Sequence, residues 1–221
     1  MKLRTLVIPA KIAHTATVLI LHGLGDSGHG WAPIATALAP LLPHVKFVLP
    51  HAAVRPITIN QGMRMPGWYD ISSFDFDRRS EDEAGLSESV KQIEELIQDE
   101  IASGITADRI VLGGFSQGAA MSLLTTLTTS TKLAGAFAMS GYLPLATKFP
   151  AAANPANKQT PIALFHGTDD EVVLMRHGKT TYDALVGWGY KVTWKEYDGM
   201  GHSASEEEVA DLARFLKGIV A

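Results

Sequence analysis

Short apolar runs rich in β-branched and aromatic residues recur along the chain at 17–21, 45–49, 110–112, 134–139, 162–165 and 192–197. Each has the length and composition of a buried strand. Between them the apolar residues switch to helical spacing, at 31–42, 86–103, 117–128, 173–188 and 206–219. Strands alternating with helices are joined by right-handed crossovers, which implies an α/β fold with a mainly parallel central sheet and helices on both faces. Residues near the N-terminus supply a first strand. In the helix at 86–103, Val90, Ile93, Leu96, Ile97 and Ile101 fall three or four residues apart, while Lys91, Glu94, Glu95 and Gln98 take the opposite side. In the last helix Ser205 is placed to cap the N-terminus, Glu206–Glu208 suit the positive end of the dipole, and Val209, Leu212, Phe215 and Leu216 form the buried stripe.

At 221 residues, with no internal repeat and no break in composition, residues 1–221 are expected to form one domain. Two segments interrupt the alternation. Segment 50–80 holds Met63, Met65, Trp68, Tyr69, Phe74 and Phe76 without a clear period, too apolar for a solvated linker. It reads as an excursion over the sheet that covers a substrate pocket. Segment 143–161 is rich in Ala, Pro and Asn and reads as irregular.

Nineteen Lys plus Arg against twenty-three Asp plus Glu leave a formal charge of −4 and no basic run, so nucleic acid is not an expected partner. The absence of cysteine removes disulfides, thiolate metal sites and a cysteine nucleophile together. Pro9 and Lys11 interrupt the N-terminal apolar stretch before a signal-peptide core forms, and no apolar run is long enough to span a bilayer. A soluble, cytoplasmic protein is the expectation.

The most specific local signal is Ile110-Val111-Leu112-Gly113-Gly114-Phe115-Ser116-Gln117-Gly118, in which a strand runs directly into Gly-x-Ser-x-Gly and then into a helix. A serine at so tight a turn must adopt a strained backbone, and glycines two residues to either side let strand and helix approach. Its hydroxyl becomes a nucleophile only with a base beside it. In folds of this type the chain order is serine, acid, histidine, which leaves His166, His177 and His202. His177 lies in a helical pattern and His166 precedes any suitable acid. His202 follows Tyr197-Asp198-Gly199-Met200-Gly201, a loop at the catalytic edge of a parallel sheet. The acid that orients it belongs to His166-Gly167-Thr168-Asp169-Asp170-Glu171, where spacing alone does not choose among Asp169, Asp170 and Glu171. Acyl transfer also needs donors for the developing oxyanion. The Gln117 backbone N–H, just after the nucleophile, is one. The Leu24 N–H, in the glycine-rich loop His22-Gly23-Leu24-Gly25-Asp26-Ser27-Gly28-His29-Gly30, is the other. That loop lacks a phosphate-binding signature, and His22 with His29 finds no third ligand at metal-site spacing.

These residues resemble the acyl-protein thioesterases, also described as lysophospholipase or carboxylesterase-like proteins, members of the α/β-hydrolase superfamily. The resemblance rests on Leu21-His22-Gly23-Leu24-Gly25-Asp26-Ser27-Gly28, on Met65-Pro66-Gly67-Trp68-Tyr69-Asp70, on Gly113-Gly114-Phe115-Ser116-Gln117-Gly118 and on Gly199-Met200-Gly201-His202-Ser203. It runs over essentially the whole chain. Laying the family's acid loop, His-Gly-x-x-Asp-Pro-x-Val, on His166–Val173 selects Asp170, with Glu171 where the family has proline. The resemblance also supports Leu24 and Gln117 as oxyanion donors and implies that no metal or organic cofactor is used.

The resemblance further implies a serine hydrolase that depalmitoylates S-acylated proteins and hydrolyses lysophospholipids or small esters. A long acyl chain gains about 0.8 kcal/mol per buried CH₂, so such an enzyme needs an apolar channel. Met63, Met65, Trp68, Leu143 and Leu145 are the expected lining, beside Leu24. Apolar residues near the pocket also suit a transient membrane-surface contact or a weak homodimer. Two other readings compete: a broad carboxylesterase for short soluble esters, and an inactive hydrolase scaffold that binds acylated proteins.

Overall fold

The computed structural model describes residues 2–73, 75 and 80–221. Phe74 and Phe76, within the expected excursion, lie outside the described residues. Among the described residues, the strands are β1 (Thr5–Ile8), β2 (Ala16–Leu21), β3 (Val45–Pro50), β4 (Val54–Ile57), β5 (Met63–Pro66), β6 (Ile110–Phe115), β7 (Gly135–Met139), β8 (Ile162–Gly167) and β9 (Val192–Tyr197). The α-helices are α1 (Gly28–Leu38), α2 (Glu83–Ala102), α3 (Gln117–Thr128), α4 (Met175–Gly187) and α5 (Glu206–Val220).

Seven of the described strands form one sheet in the order β1-β3-β2-β6-β7-β8-β9. β1 runs antiparallel to β3, and every other neighbouring pair is parallel. Every residue of β2 is buried, as expected of a central parallel strand covered on both faces. One face packs against α2 and α3, with Leu96, Ile97, Leu123 and Leu124 meeting Leu19, Leu21 and Leu112. The other packs against α1 and α5, where Trp31, Leu38, Leu212 and Leu216 meet Val18, Ile20 and Val111. Helices therefore cover both faces.

The strand order places the site. β3 lies on one side of β2 and β6 on the other, so the winding reverses between β2 and β6. Loops leaving the carboxyl ends of strands part at such a point and open a crevice. Leu21 pairs with Gly114 across this junction, which sets the loop after β2 level with Ser116.

Two local departures from the sequence pattern have physical causes. The periodicity places the start of α1 at Trp31, but the helix begins one turn earlier at Gly28, which carries no apolar side chain to mark it; a side chain there would meet the Leu49 carbonyl oxygen at 2.3 Å, so only glycine fits. The Gly28 N–H, a helix-start orphan, donates to His51 Nδ1 at 3.1 Å. Within 50–80, β4 and β5 pair as an antiparallel ribbon. Pro56 and Pro66 count against strands in the sequence, yet a two-stranded ribbon has free edges that accept them. Segment 143–161 contains short 3₁₀ turns at Ala146–Lys148 and Pro155–Asn157.

Candidate active site

Ser116 joins β6 to α3 with φ 53° and ψ −117°, a region non-glycine residues rarely enter and one that costs about 1–3 kcal/mol. The surroundings impose it. Its N–H donates to Met139 O at 2.9 Å and its carbonyl accepts from Ala120 N–H at 3.0 Å. The flanking glycines are required by close approach: a Cβ at Gly118 would lie 2.1 Å from the Leu21 carbonyl oxygen, and one at Gly114 would lie 2.6 Å from it. The elbow therefore sits hard against the end of β2.

His202, between β9 and α5, brings Nε2 to 2.9 Å from Ser116 Oγ and Nδ1 to 2.7 Å from Asp170 Oδ2. Its ring also rests on Phe115, with centroids 4.6 Å apart. Asp170, in the loop after β8, is buried, and its Oδ1 accepts from the Val172 and Val173 N–H groups at 2.9 and 2.8 Å. His166 Nε2 lies 3.4 Å from Oδ2. Burial alone would push the Asp170 carboxyl up, but interactions with His166 and His202 and the Val173 N–H outweigh it and hold it well below the usual carboxylate range. An ionised Asp170 only accepts, so His202 carries its proton on Nδ1 and turns a lone pair toward Ser116.

The alternatives left open by spacing point elsewhere. Asp169 is exposed and accepts from Thr168 Oγ1 at 3.0 Å, and Glu171 is exposed. His166 is buried and donates from Nε2 to Val173 O at 2.7 Å, while His177 belongs to α4. His22 is also buried, with both ring nitrogens engaged by backbone groups. Among the described residues no group of three or more His, Asp or Glu side chains is arranged to hold a metal ion.

Leu24 and Gln117 line the same cavity as Ser116 and His202. Gln117 opens α3, so its N–H has no acceptor within the helix. The side chain of Gln117 has a second use that the sequence reading missed. Fully buried, it accepts from Trp68 N–H and donates to Tyr69 O, both at 2.7 Å, and so fastens the 50–80 excursion to the elbow.

The expected apolar lining lies elsewhere. None of Met63, Met65, Trp68, Leu143 and Leu145 lines the cavity at Ser116. Trp68 is fully buried in the core, its Nε1–H donating to His22 O at 2.8 Å. Met63 starts β5 beside the ribbon's turn and is 64% exposed, while Met65 Sδ accepts from Asn60 Nδ2 at 3.3 Å within the same ribbon. Leu143 and Leu145 line a separate hollow of about 520 Å³ along α4, beyond Tyr142. The cavity at Ser116, of about 460 Å³, instead takes its apolar walls from Trp31 and Ile34 of α1, Ile71, Phe115, and Val172 with Val173 after the acid. Trp31 and Ile34 stand three residues apart on one helix face, a spacing that marks a buried face without saying whether it meets core or cavity.

A family model described as phospholipase/carboxylesterase matches residues 4–220. Acyl-protein thioesterase 1 of Gibberella zeae is 49% identical over 224 residues, which cover 98% of this chain and 95% of that one. Acyl-protein thioesterase 1 of Neurospora crassa is 51% identical over 219 residues, covering 96% and 89%. The crystal structure of Zea mays acyl-protein thioesterase 2 superposes with a TM-score of 0.90 at 31% identity, covering 99% of each chain. The architecture of the sheet, the elbow at its switch point and these full-length matches together identify the chain as a member of the phospholipase/carboxylesterase family of α/β-hydrolases.

Proposed function

We propose that this chain is a serine hydrolase that removes long acyl groups from cysteine thioesters of lipid-modified proteins. The observation that carries the reading is the hydrogen-bonded series Ser116, His202, Asp170, opening into an apolar-walled cavity of about 460 Å³. Fungal relatives about half identical over nearly the full length are acyl-protein thioesterases, which supports the substrate class.

In the proposed reaction the acyl chain lies along Ile34, Ile71 and Val173, and the thioester carbonyl faces Ser116. His202 Nε2 takes the Ser116 proton as Oγ forms a bond to the acyl carbon. The carbonyl electrons move onto oxygen, where the Leu24 and Gln117 N–H groups hold the anion. Asp170 stabilises the imidazolium. Collapse breaks the carbon–sulfur bond, and the cysteine thiolate leaves with the proton from His202. Water then enters, His202 takes its proton, and the acyl-serine ester is cleaved to free acid and restored serine. Lysophospholipids, which carry a similar chain on an oxygen ester, fit the same sequence of steps.

Val172, 43% exposed at the cavity mouth, and Met63 at the ribbon offer apolar surface for transient contact with a membrane or a second copy. Among the described residues no helix is long and apolar enough to cross a membrane. A cytoplasmic enzyme meeting its substrates at a membrane surface is the corresponding proposal.

The test compares kcat/KM for acetyl, octanoyl and palmitoyl thioesters of one cysteine peptide. At about 0.8 kcal/mol per buried CH₂, each methylene placed in the cavity raises kcat/KM up to about fourfold. A preference for acetyl over palmitoyl would overturn the long-chain reading in favour of a short-ester carboxylesterase.

A further inference from the structure

The oxyanion donor assigned to Leu24 belongs to the peptide unit whose carbonyl is Gly23 C=O. A trans peptide is planar, with its C=O and N–H directed oppositely. The Gly23–Leu24 bond is trans, the cis bond among the described residues being Phe149–Pro150. Whatever fixes the Gly23 oxygen therefore also aims the Leu24 hydrogen.

His22 fixes it. Its Nδ1 lies 2.6 Å from Gly23 O, on a ring with no solvent exposure. Its Nε2 lies 3.0 Å from Ala52 N, whose N–H can only donate. Nε2 must then be unprotonated, and the single ring proton sits on Nδ1, directed at Gly23 O. Burial favours this neutral form, lowering the pKa of His22 below its ordinary value. The ring is held in place by these two bonds and by the Trp68 ring packed 5.3 Å away, while the His22 carbonyl accepts from Trp68 Nε1–H at 2.8 Å. Asp26 N–H adds a longer bond to the same Gly23 oxygen at 3.3 Å.

The peptide needs holding. Gly23 has the widest backbone freedom of any residue type, and it abuts the nucleophile: a Cβ built on it would stand 3.4 Å from Ser116 Cβ. A flip would turn a carbonyl oxygen toward the space assigned to the oxyanion and carry the N–H away. We infer that His22, as the Nδ1–H tautomer set by Ala52, is a positioning residue that holds the Gly23–Leu24 peptide in its oxyanion-binding orientation. This rests on the proposed reaction and on Leu24 as a donor within it.

Two variants separate the ring's two nitrogens. In His22→Asn the side-chain amide can place its N–H where Nδ1 stood, whereas in His22→Gln it sits where Nε2 stood. Each is assayed for kcat/KM on a palmitoyl thioester and for inhibition by a trifluoromethyl ketone with the same chain, whose tetrahedral adduct carries the oxyanion. His22→Gln should lose about 10²-fold in kcat/KM, the order seen when one oxyanion donor is removed, and ketone affinity should fall in parallel. His22→Asn should recover most of both. If His22→Gln keeps both at the level of the unsubstituted enzyme, or His22→Asn falls as far as His22→Gln, His22 is not the positioning group. If kcat/KM falls while ketone affinity stays, the Leu24 assignment itself fails, and the inference with it. Nitrogen NMR of the unsubstituted protein gives a reading free of folding effects: a proton on Nδ1 of His22 supports the inference, and a proton on Nε2 overturns it.

Discussion

Substituting Glu208 by Gln should flatten the alkaline loss of stability of this protein. Glu208 lies in the first turn of α5, has no solvent exposure, and among the described residues neither carboxyl oxygen has a hydrogen-bond partner. Burial pushes its carboxyl up from 4.5 to about 8, and the Asp211 charge adds to the rise. Between those values the folded chain keeps a proton that the unfolded chain has released. Stability from this group is therefore complete below pH 4.5 and is lost as pH rises toward 8. At 1.36 kcal/mol per pH unit, the loss between pH 5 and pH 7.5 is about 3 kcal/mol. Glutamine keeps the shape of the position without titrating, and the cap from Glu208 N–H to Ser205 Oγ does not involve the side chain that is changed. Urea unfolding of both proteins at pH 5 and 7.5 isolates the effect, because groups common to both cancel in the difference. The glutamine variant should lose about 3 kcal/mol less over this interval, about 6–12 °C in Tm. Parallel stability curves would refute a neutral buried Glu208.

Asp170→Asn should lower kcat by about 10⁴, since an amide can leave the imidazole in the wrong tautomer; steady-state kinetics would show it, and near-normal turnover would remove Asp170 from the mechanism. Ile34→Trp should fill part of the cavity, displacing about three methylenes, worth about 60-fold in kcat/KM for a palmitoyl thioester, while leaving an acetyl thioester little changed. Equal losses on both would place the chain elsewhere. Gly118→Ala should destabilise by about 3 kcal/mol in urea unfolding, because the added carbon meets backbone at 2.1 Å that cannot move aside.

How far the sequence could be read depended on whether a requirement was local. The elbow was legible because its demands, a strained serine and two glycines that cannot carry a side chain, lie within five residues. His202 was reachable because chain order and loop position removed its competitors. The acid was narrowed to Asp169, Asp170 and Glu171 and no further by spacing. What separates them is burial and the hydrogen bonds of one turn, in which Asp170 receives the Val172 and Val173 N–H groups. The cavity walls were misread. Aromatic and methionine side chains serve cores and pockets alike, and Trp68 is held by groups distant in sequence, its N–H by Gln117 49 residues away and its indole by His22 O. Ile34 was hidden by the opposite ambiguity, a cavity wall written in the spacing of a core stripe. Glu208 was hidden as well: the run Glu206–Glu208 reads as a solvated helix start, yet its third member is buried.

The claim on which the rest depends is that Ser116 becomes acylated in every turnover. Intact-mass analysis with peptide mapping, after brief incubation with a palmitoyl thioester and an acid quench, tests it directly. A single palmitoyl adduct on the peptide containing Ser116, absent from Ser116→Ala, is the predicted result. An adduct on another residue, or undiminished hydrolysis by Ser116→Ala, would contradict it.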